Sequence, residues 1–123
     1  MSKGRIISFT FTKDAFLAGA KTCTRRQWKD SYALSIKPGD IMQAYDKVPF
    51  VGGKKIGEIE IVSIAKEPIA DMPVFDFAAE GFEWLRENGI YQAKGFPYDF
   101  TWEGFQKWHH SGKEYWVVRF KKI

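Results

Sequence analysis

The longest strand-like run in the chain, residues 56–64, cannot lie flat. Ile56 has one parity and the pair Ile59 and Ile61 the other, and the parity shifts again at Val62 and Ile64. Successive side chains of a strand point to opposite faces, so each shift marks an extra residue, and Gly57 is the expected position of a bulge. A strand that bends in this way is what a small closed barrel requires.

Other stretches supply partners for it. Residues 5–11 alternate, with Ile7, Phe9 and Phe11 on one side and Ser8 and Thr10 on the other, the pattern of a half-buried strand. Residues 41–45 form a second strand, entered through a Pro38-Gly39-Asp40 turn. Residues 115–120 close the chain as a strand with Trp116, Val118 and Phe120 on one face. Between residues 48 and 55, Pro49, Gly52 and Gly53 predict a hairpin-like connection with a basic tip; no helix signal follows these glycines, so they read as turn residues rather than a phosphate cradle.

Three helices are expected. Thr12 can cap a short one through Ala18, with Asp14 in its first turn and Gly19 at the left-handed C-terminal position. Residues 75–88, ended by Gly89, carry Ala78, Phe82 and Leu85 as a core stripe, which leaves Glu80, Trp84 and Glu87 on another side; Gly81 weakens the pattern. After a break at Gly95-Phe96-Pro97, Thr101 can cap a helix with Trp102, Phe105, Trp108 and His109 on a buried face. His109 and His110 lack further metal ligands and read as structural or surface residues.

With 45% hydrophobic and 17% aromatic residues, no repeat and no low-complexity tract, the 123 residues predict one packed domain, 1–123. Nineteen Lys and Arg against fifteen Asp and Glu give +4, a modest bias toward anionic partners such as nucleic acid or nucleotides. A single cysteine excludes an internal disulfide and a cysteine-based zinc cluster and fits a reducing compartment, so no metal or other cofactor is expected. The residues after Arg5 lack the continuous apolar segment of a signal peptide, and no apolar run approaches the roughly 20 residues of a membrane helix. The chain is expected to be soluble and cytoplasmic, with no membrane partner.

The densest chemistry lies at Gly19-Ala20-Lys21-Thr22-Cys23-Thr24-Arg25-Arg26-Gln27-Trp28. If Lys21 to Thr24 turn, the amine and the Thr24 hydroxyl share a face, an arrangement that activates a weak nucleophile. If they run extended, Cys23 lies between Lys21 and Arg25, which would lower its pKa. Against both stands a solvated basic loop in which Cys23 is only a small residue without a matched histidine.

The run Gly19-x-Lys21-x-x-Thr24-x-Arg26, after a strand and a short helix, resembles the signature of the ASCH domain family. The Pro38-Gly39-Asp40 strand entry, the following long strand, the acidic segment Ala79-Glu80-Gly81-Phe82, the aromatic helix near Trp102 and the final strand resemble that family too. The resemblance implies an α+β fold, a small PUA-like β-barrel of mixed strands flanked by short helices, with a cleft beside the motif. One branch of the family is similar to small amidohydrolases that remove the acetyl group from N4-acetylcytidine. By that likeness Lys21, Thr24 and Glu80 are the catalytic candidates, with Asp76 and Glu83 as substitutes for the acid. Gly19, Arg25, Arg26, Trp28 and Tyr45 are the candidates for binding a modified nucleoside or RNA.

Thr24 needs a base, and Lys21 serves only if its pKa falls from about 10.4 toward roughly 7 to 8. Burial and Arg25 or Arg26 push it down, whereas Glu80 would hold it protonated, and the sequence leaves that contest open. A non-catalytic RNA-binding module, with Trp28, Tyr45 and Trp84 at the mouth and a track through Lys47, Lys54 and Lys55, and a ribonuclease are the alternative readings.

Overall fold

The computed structural model describes residues 5–92, 98–108 and 113–123. Five strands form one mixed sheet: β1 (Ile6–Ser8), β2 (Cys23–Arg26), β3 (Ile41–Tyr45), β4 (Lys55–Pro68) and β5 (Glu114–Lys122), in the order β1-β3-β4-β5-β2. β1 is parallel to β3, and every other pairing is antiparallel. The helices are short: α1 (Lys13–Leu17), α2 (Asp30–Leu34), α3 (Asp76–Ala79), α4 (Phe82–Glu87) and α5 (Trp102–Trp108), with 3-10 turns at Pro49–Val51 and Ile69–Asp71. The architecture is α+β, a five-stranded half-barrel flanked by short helices. Among the described residues no helix is long and apolar enough to cross a membrane.

β4 bends where its parity breaks. Ala44 faces Gly57 while Tyr45 faces Lys55, which leaves Ile56 as the extra residue. Ile61 faces Phe120 while Ser63 faces Arg119, which leaves Val62 extra and exposed. The bends curl the sheet until its two outer strands approach: an Arg26 guanidinium nitrogen on β2 donates to the Ser8 carbonyl on β1 at 2.7 Å. Inside the curl, Phe9, Phe16 and Phe120 pack ring against ring with Ile7, Met42, Ile59 and Ile61. A second apolar cluster, with Phe82, Leu85, Phe100 and Phe105 at its centre, lies among the helices.

Several expectations change. Strand β1 ends at Ser8: the Phe9 N–H still donates to the Tyr45 carbonyl at 2.9 Å, but residues 10–12 form a turn. Thr12 precedes α1 but makes no side-chain cap bond, whereas the Thr101 hydroxyl does accept from the Gly104 N–H at the start of α5. β5 is buried on both faces, since Tyr115 and Val117 are covered as well as Trp116, Val118 and Phe120. Helix α2 had no counterpart in the sequence reading; its Tyr32 ring meets the Trp28 ring edge-on from the chain before the helix. His109, His110 and the Gly95-Phe96-Pro97 break lie outside the described residues.

The expected single helix over 75–88 is two helices broken at Gly81, whose φ is +99°. A Cβ there would sit 2.7 Å from the Ala15 Cβ and 3.5 Å from the Lys21 Cβ, so the break is also where the helices close on α1 and the Lys21 segment. Gly19 likewise terminates α1, with Gly19 N–H bonded to Phe16 O and Ala20 N–H to Ala15 O, a Schellman motif. Gly81→Ala combines backbone strain with a steric clash and is expected to lower stability by roughly 2–4 kcal/mol. Gly19→Ala meets open space and should cost about 1 kcal/mol. Urea denaturation of the two variants checks the order.

Candidate functional site

The seam between β1 and β2 holds a cavity of about 450 Å³, within the roughly 300–1,000 Å³ of small-molecule sites. Lys21, Thr24, Arg25, Arg26 and Glu80 all line it, so the structure brings together the three catalytic candidates and two of the binding candidates. Aromatic walls come from Phe9, Phe11, Phe82 and Tyr115, of which the sequence pattern had placed Phe9, Phe11 and Phe82 on apolar faces of their elements and none in a site. Gly19, Trp28 and Tyr45 are elsewhere. Gly19 is the α1 stop, Trp28 packs against the core inside the curl, and Tyr45 is half-buried on β3, where its carbonyl accepts from the Phe9 N–H. Trp84 packs on the helical cluster, and Lys47, Lys54 and Lys55 are exposed and do not line the cavity.

Lys21 lies in the extended link between α1 and β2 and is only 3% exposed. Its ammonium donates to the Cys23 carbonyl at 3.0 Å and to the Glu80 carbonyl at 2.8 Å, and it lies 5.3 Å from the centre of the Phe9 ring. An ammonium has three donors, so one remains. Burial lowers the Lys21 pKa to about 8; the charge of Glu80 opposes this and that of Arg26 reinforces it. Burial wins the contest that the sequence left open. The side chain of Thr24 is on the next strand, where Thr24 Oγ1 accepts from Arg26 Nε at 3.2 Å. Burial also lowers the Arg26 pKa, to about 10.

Glu80 is buried because α3 stops there, not solvated as a continuous helix would have left it. Burial pushes its carboxyl up, against Lys21, Arg25 and Arg26. One of its oxygens accepts from Arg25 at 3.0 Å. The Arg25 guanidinium, fully excluded from solvent, also donates to Glu67 and Asp76, each at 2.7 Å. Asp76 in turn accepts from Arg119 through both carboxylate oxygens, at 3.0 and 2.9 Å. Burial works against the charges of Arg25 and Asp76, but hydrogen bonds outweigh it: those to Asp76 and Glu67, with Glu80, move Arg25 up, and those from Arg119 and Arg25 move Asp76 down. Asp76 is therefore tied to two arginines and Glu83 is exposed, which leaves Glu80 as the cavity acid.

Cys23 does not become a thiolate. Burial, together with the charge of Glu80, pushes its thiol up to about 12 in spite of Arg119 and Arg25. Among the described residues, no group of three or more His, Cys, Asp or Glu side chains could hold a metal ion.

This half-barrel, with its motif in the seam, has the fold of ASCH domain proteins. It is similar to the ASCH domain from Lactobacillus crispatus, at 15% identity and TM-score 0.56 over 96% of this chain and 79% of that one. An ASCH protein from Zymomonas mobilis matches at 10% identity and TM-score 0.57, over 96% and 73%. A DUF984 protein of Enterococcus faecalis matches at 13% identity and TM-score 0.62, over 100% and 82%. No protein-family model and no curated protein matches the sequence.

Burial of Lys21 has a consequence for stability. Its folded pKa of about 8 lies below the ordinary 10.5, so between these values the unfolded chain binds more protons and stability rises with pH. Urea midpoints are expected to climb from pH 8 toward pH 9, below the range in which ionisation of the unfolded Cys23 thiol opposes the gain, and Lys21→Met should lack that climb.

Proposed function

We propose that the chain is an ASCH-type domain that binds a modified nucleobase in this cavity and hydrolyses the exocyclic amide of an N4-acylated cytidine. The observation that carries this reading is the meeting of a buried Lys21, whose pKa is about 8, with Thr24 and Glu80 in one cavity. An ordinary lysine is protonated near neutral pH and cannot serve as a base; Lys21 is neutral in an appreciable fraction of molecules.

The reaction follows from the side chains. Neutral Lys21 takes the Thr24 proton as Oγ1 bonds to the amide carbonyl carbon, and the C=O electron pair moves onto oxygen. Arg26, already bonded to Oγ1, steadies that oxyanion. Collapse breaks the C–N4 bond, and the Lys21 ammonium returns its proton to the leaving nitrogen, giving cytidine and an acyl ester on Thr24. Water then attacks the ester with Lys21 again as base. The proton returns to Thr24, and the carboxylic acid departs. Glu80 supplies a hydrogen bond that orients the nucleobase, and the aromatic walls cover its faces.

The test is incubation of purified protein with N4-acetylcytidine, with cytidine followed by chromatography. Turnover is expected, with loss of at least about 100-fold in Lys21→Ala and Thr24→Ala. Wild-type rates in Thr24→Ala would remove the acyl-threonine step. Absence of turnover at high enzyme concentration, with salt-sensitive binding of short single-stranded RNA, would replace hydrolysis by a binding role.

A further inference from the structure

We infer that the cavity is also a site for a small monoanion, the carboxylate that the proposed hydrolysis releases, held between Lys21 and Arg26. The balance of charge leads there. Lys21, Arg25, Arg26 and Arg119 meet the carboxylates of Glu67, Asp76 and Glu80, four cations against three anions among the described residues. Burial pushes the Glu80 carboxyl up, but the Arg25 guanidinium 3.0 Å away and the facing Lys21 and Arg26 favour its charged form. A proton on Glu80 would only enlarge the positive excess. Arg25 and Arg119 contact the three acids directly at 2.7–3.0 Å, so the surplus charge falls on Lys21 and Arg26.

The same two cations carry unused donors. Lys21 gives two of its three N–H groups to carbonyls, those of Cys23 and Glu80. Arg26 places Nε on Thr24 Oγ1 and Nη2 on the Ser8 carbonyl, and its Nη1 has no partner among the described residues. The Thr24 hydroxyl accepts from Arg26 and keeps its own hydrogen to donate. All three side chains line the cavity, and both cations stand against the Phe9 ring, 5.3 and 5.6 Å from its centre. Donors on separate side chains suit the two oxygens of a carboxylate, and a single surplus charge suits a monoanion better than a phosphate dianion.

Without an anion, the surplus is relieved at Lys21. Burial lowers its pKa to about 8, with Arg26 on β2 reinforcing the shift and Glu80 at the end of α3 opposing it. Cys23 on β2 stays a thiol, and Tyr115 on β5 lines the same cavity. A bound carboxylate supplies the missing negative charge, so its arrival makes neutral Lys21 take up one proton from solvent. No covalent bond forms or breaks. Naming the carboxylate as the product rests on the hydrolase reading, and makes the released acid an inhibitor of its own formation. The anion site itself stands on the charges and donors alone.

The experiment is 13C NMR of protein labelled at lysine Cε, with Lys21 assigned by the loss of its signal in Lys21→Met. The protein is titrated without nucleoside, in sodium acetate or in sodium chloride of the same ionic strength. Acetate is expected to raise the Lys21 midpoint above its value in chloride, while acetamide, the neutral isostere, leaves it unmoved. The acetate affinity read from the same signal should fall about tenfold from pH 7 to pH 9, as the protonated fraction of a group titrating near 8 falls. Arg26→Gln should weaken acetate binding by about tenfold or more. A wild-type midpoint that is the same in acetate and chloride, or that moves equally with acetamide, overturns the inference, and this titration decides the matter even if Arg26→Gln does not fold. Acetate binding without turnover of N4-acetylcytidine would remove the reaction and leave the anion site standing.

Discussion

A guanidinium taken wholly out of water requires partners, and the folded state of this chain is organised by the partners of Arg25. They come from three places: Glu67 from β4, Asp76 from the start of α3 and Glu80 from its end. Removing one partner of a buried ion pair strands a charge at a cost of roughly 3–5 kcal/mol, so these elements are held in mutual register by electrostatics as well as by packing. Arg25 Nε is buried without a hydrogen-bond partner, so even this set of carboxylates does not fully satisfy the group. The cost is offset by what the cluster does to the free edge of β2. There α3 is drawn close enough for Ala79 to accept from the Thr22 N–H at 2.8 Å, and Glu80 is carried into the seam.

Much of the scaffold was legible from local pattern. Strand 41–45 and both bulges of β4 follow from parity, because an inserted residue must invert every side chain beyond it. Lys21, Thr24 and Arg26 were legible through the motif. The burial of Glu80 was not, since Gly81 resembles a weak helical residue until Ala15 and the Lys21 segment are seen against it. The roles of Glu67 and Arg119 are invisible locally, because each is paired with a residue more than 40 positions away. Trp28 and Tyr45 illustrate the reverse problem: aromatic composition cannot distinguish a cavity wall from core packing. Trp28 packs against the core, and Tyr45 stands half-buried away from the cavity.

The incomplete closure of the sheet accounts for the chemistry of the seam. A closed ladder would satisfy the backbone with neighbouring backbone; here cations stand in its place. Arg26 serves the Ser8 carbonyl, and Lys21 serves those of Cys23 and of Glu80 at the end of α3. Cations recruited to bridge backbone inside a fold are necessarily desolvated, and desolvation lowers their pKa. The same fact removes the thiolate that an extended run beside Lys21 and Arg25 would have favoured at Cys23 and raises the acid at Glu80, because burial disfavours every charged form it meets. The lowered pKa of Lys21 thus arises from the way the half-barrel completes its hydrogen bonding. A change that closed the seam with backbone alone would remove both the cavity and the burial that lowers the pKa of its lysine.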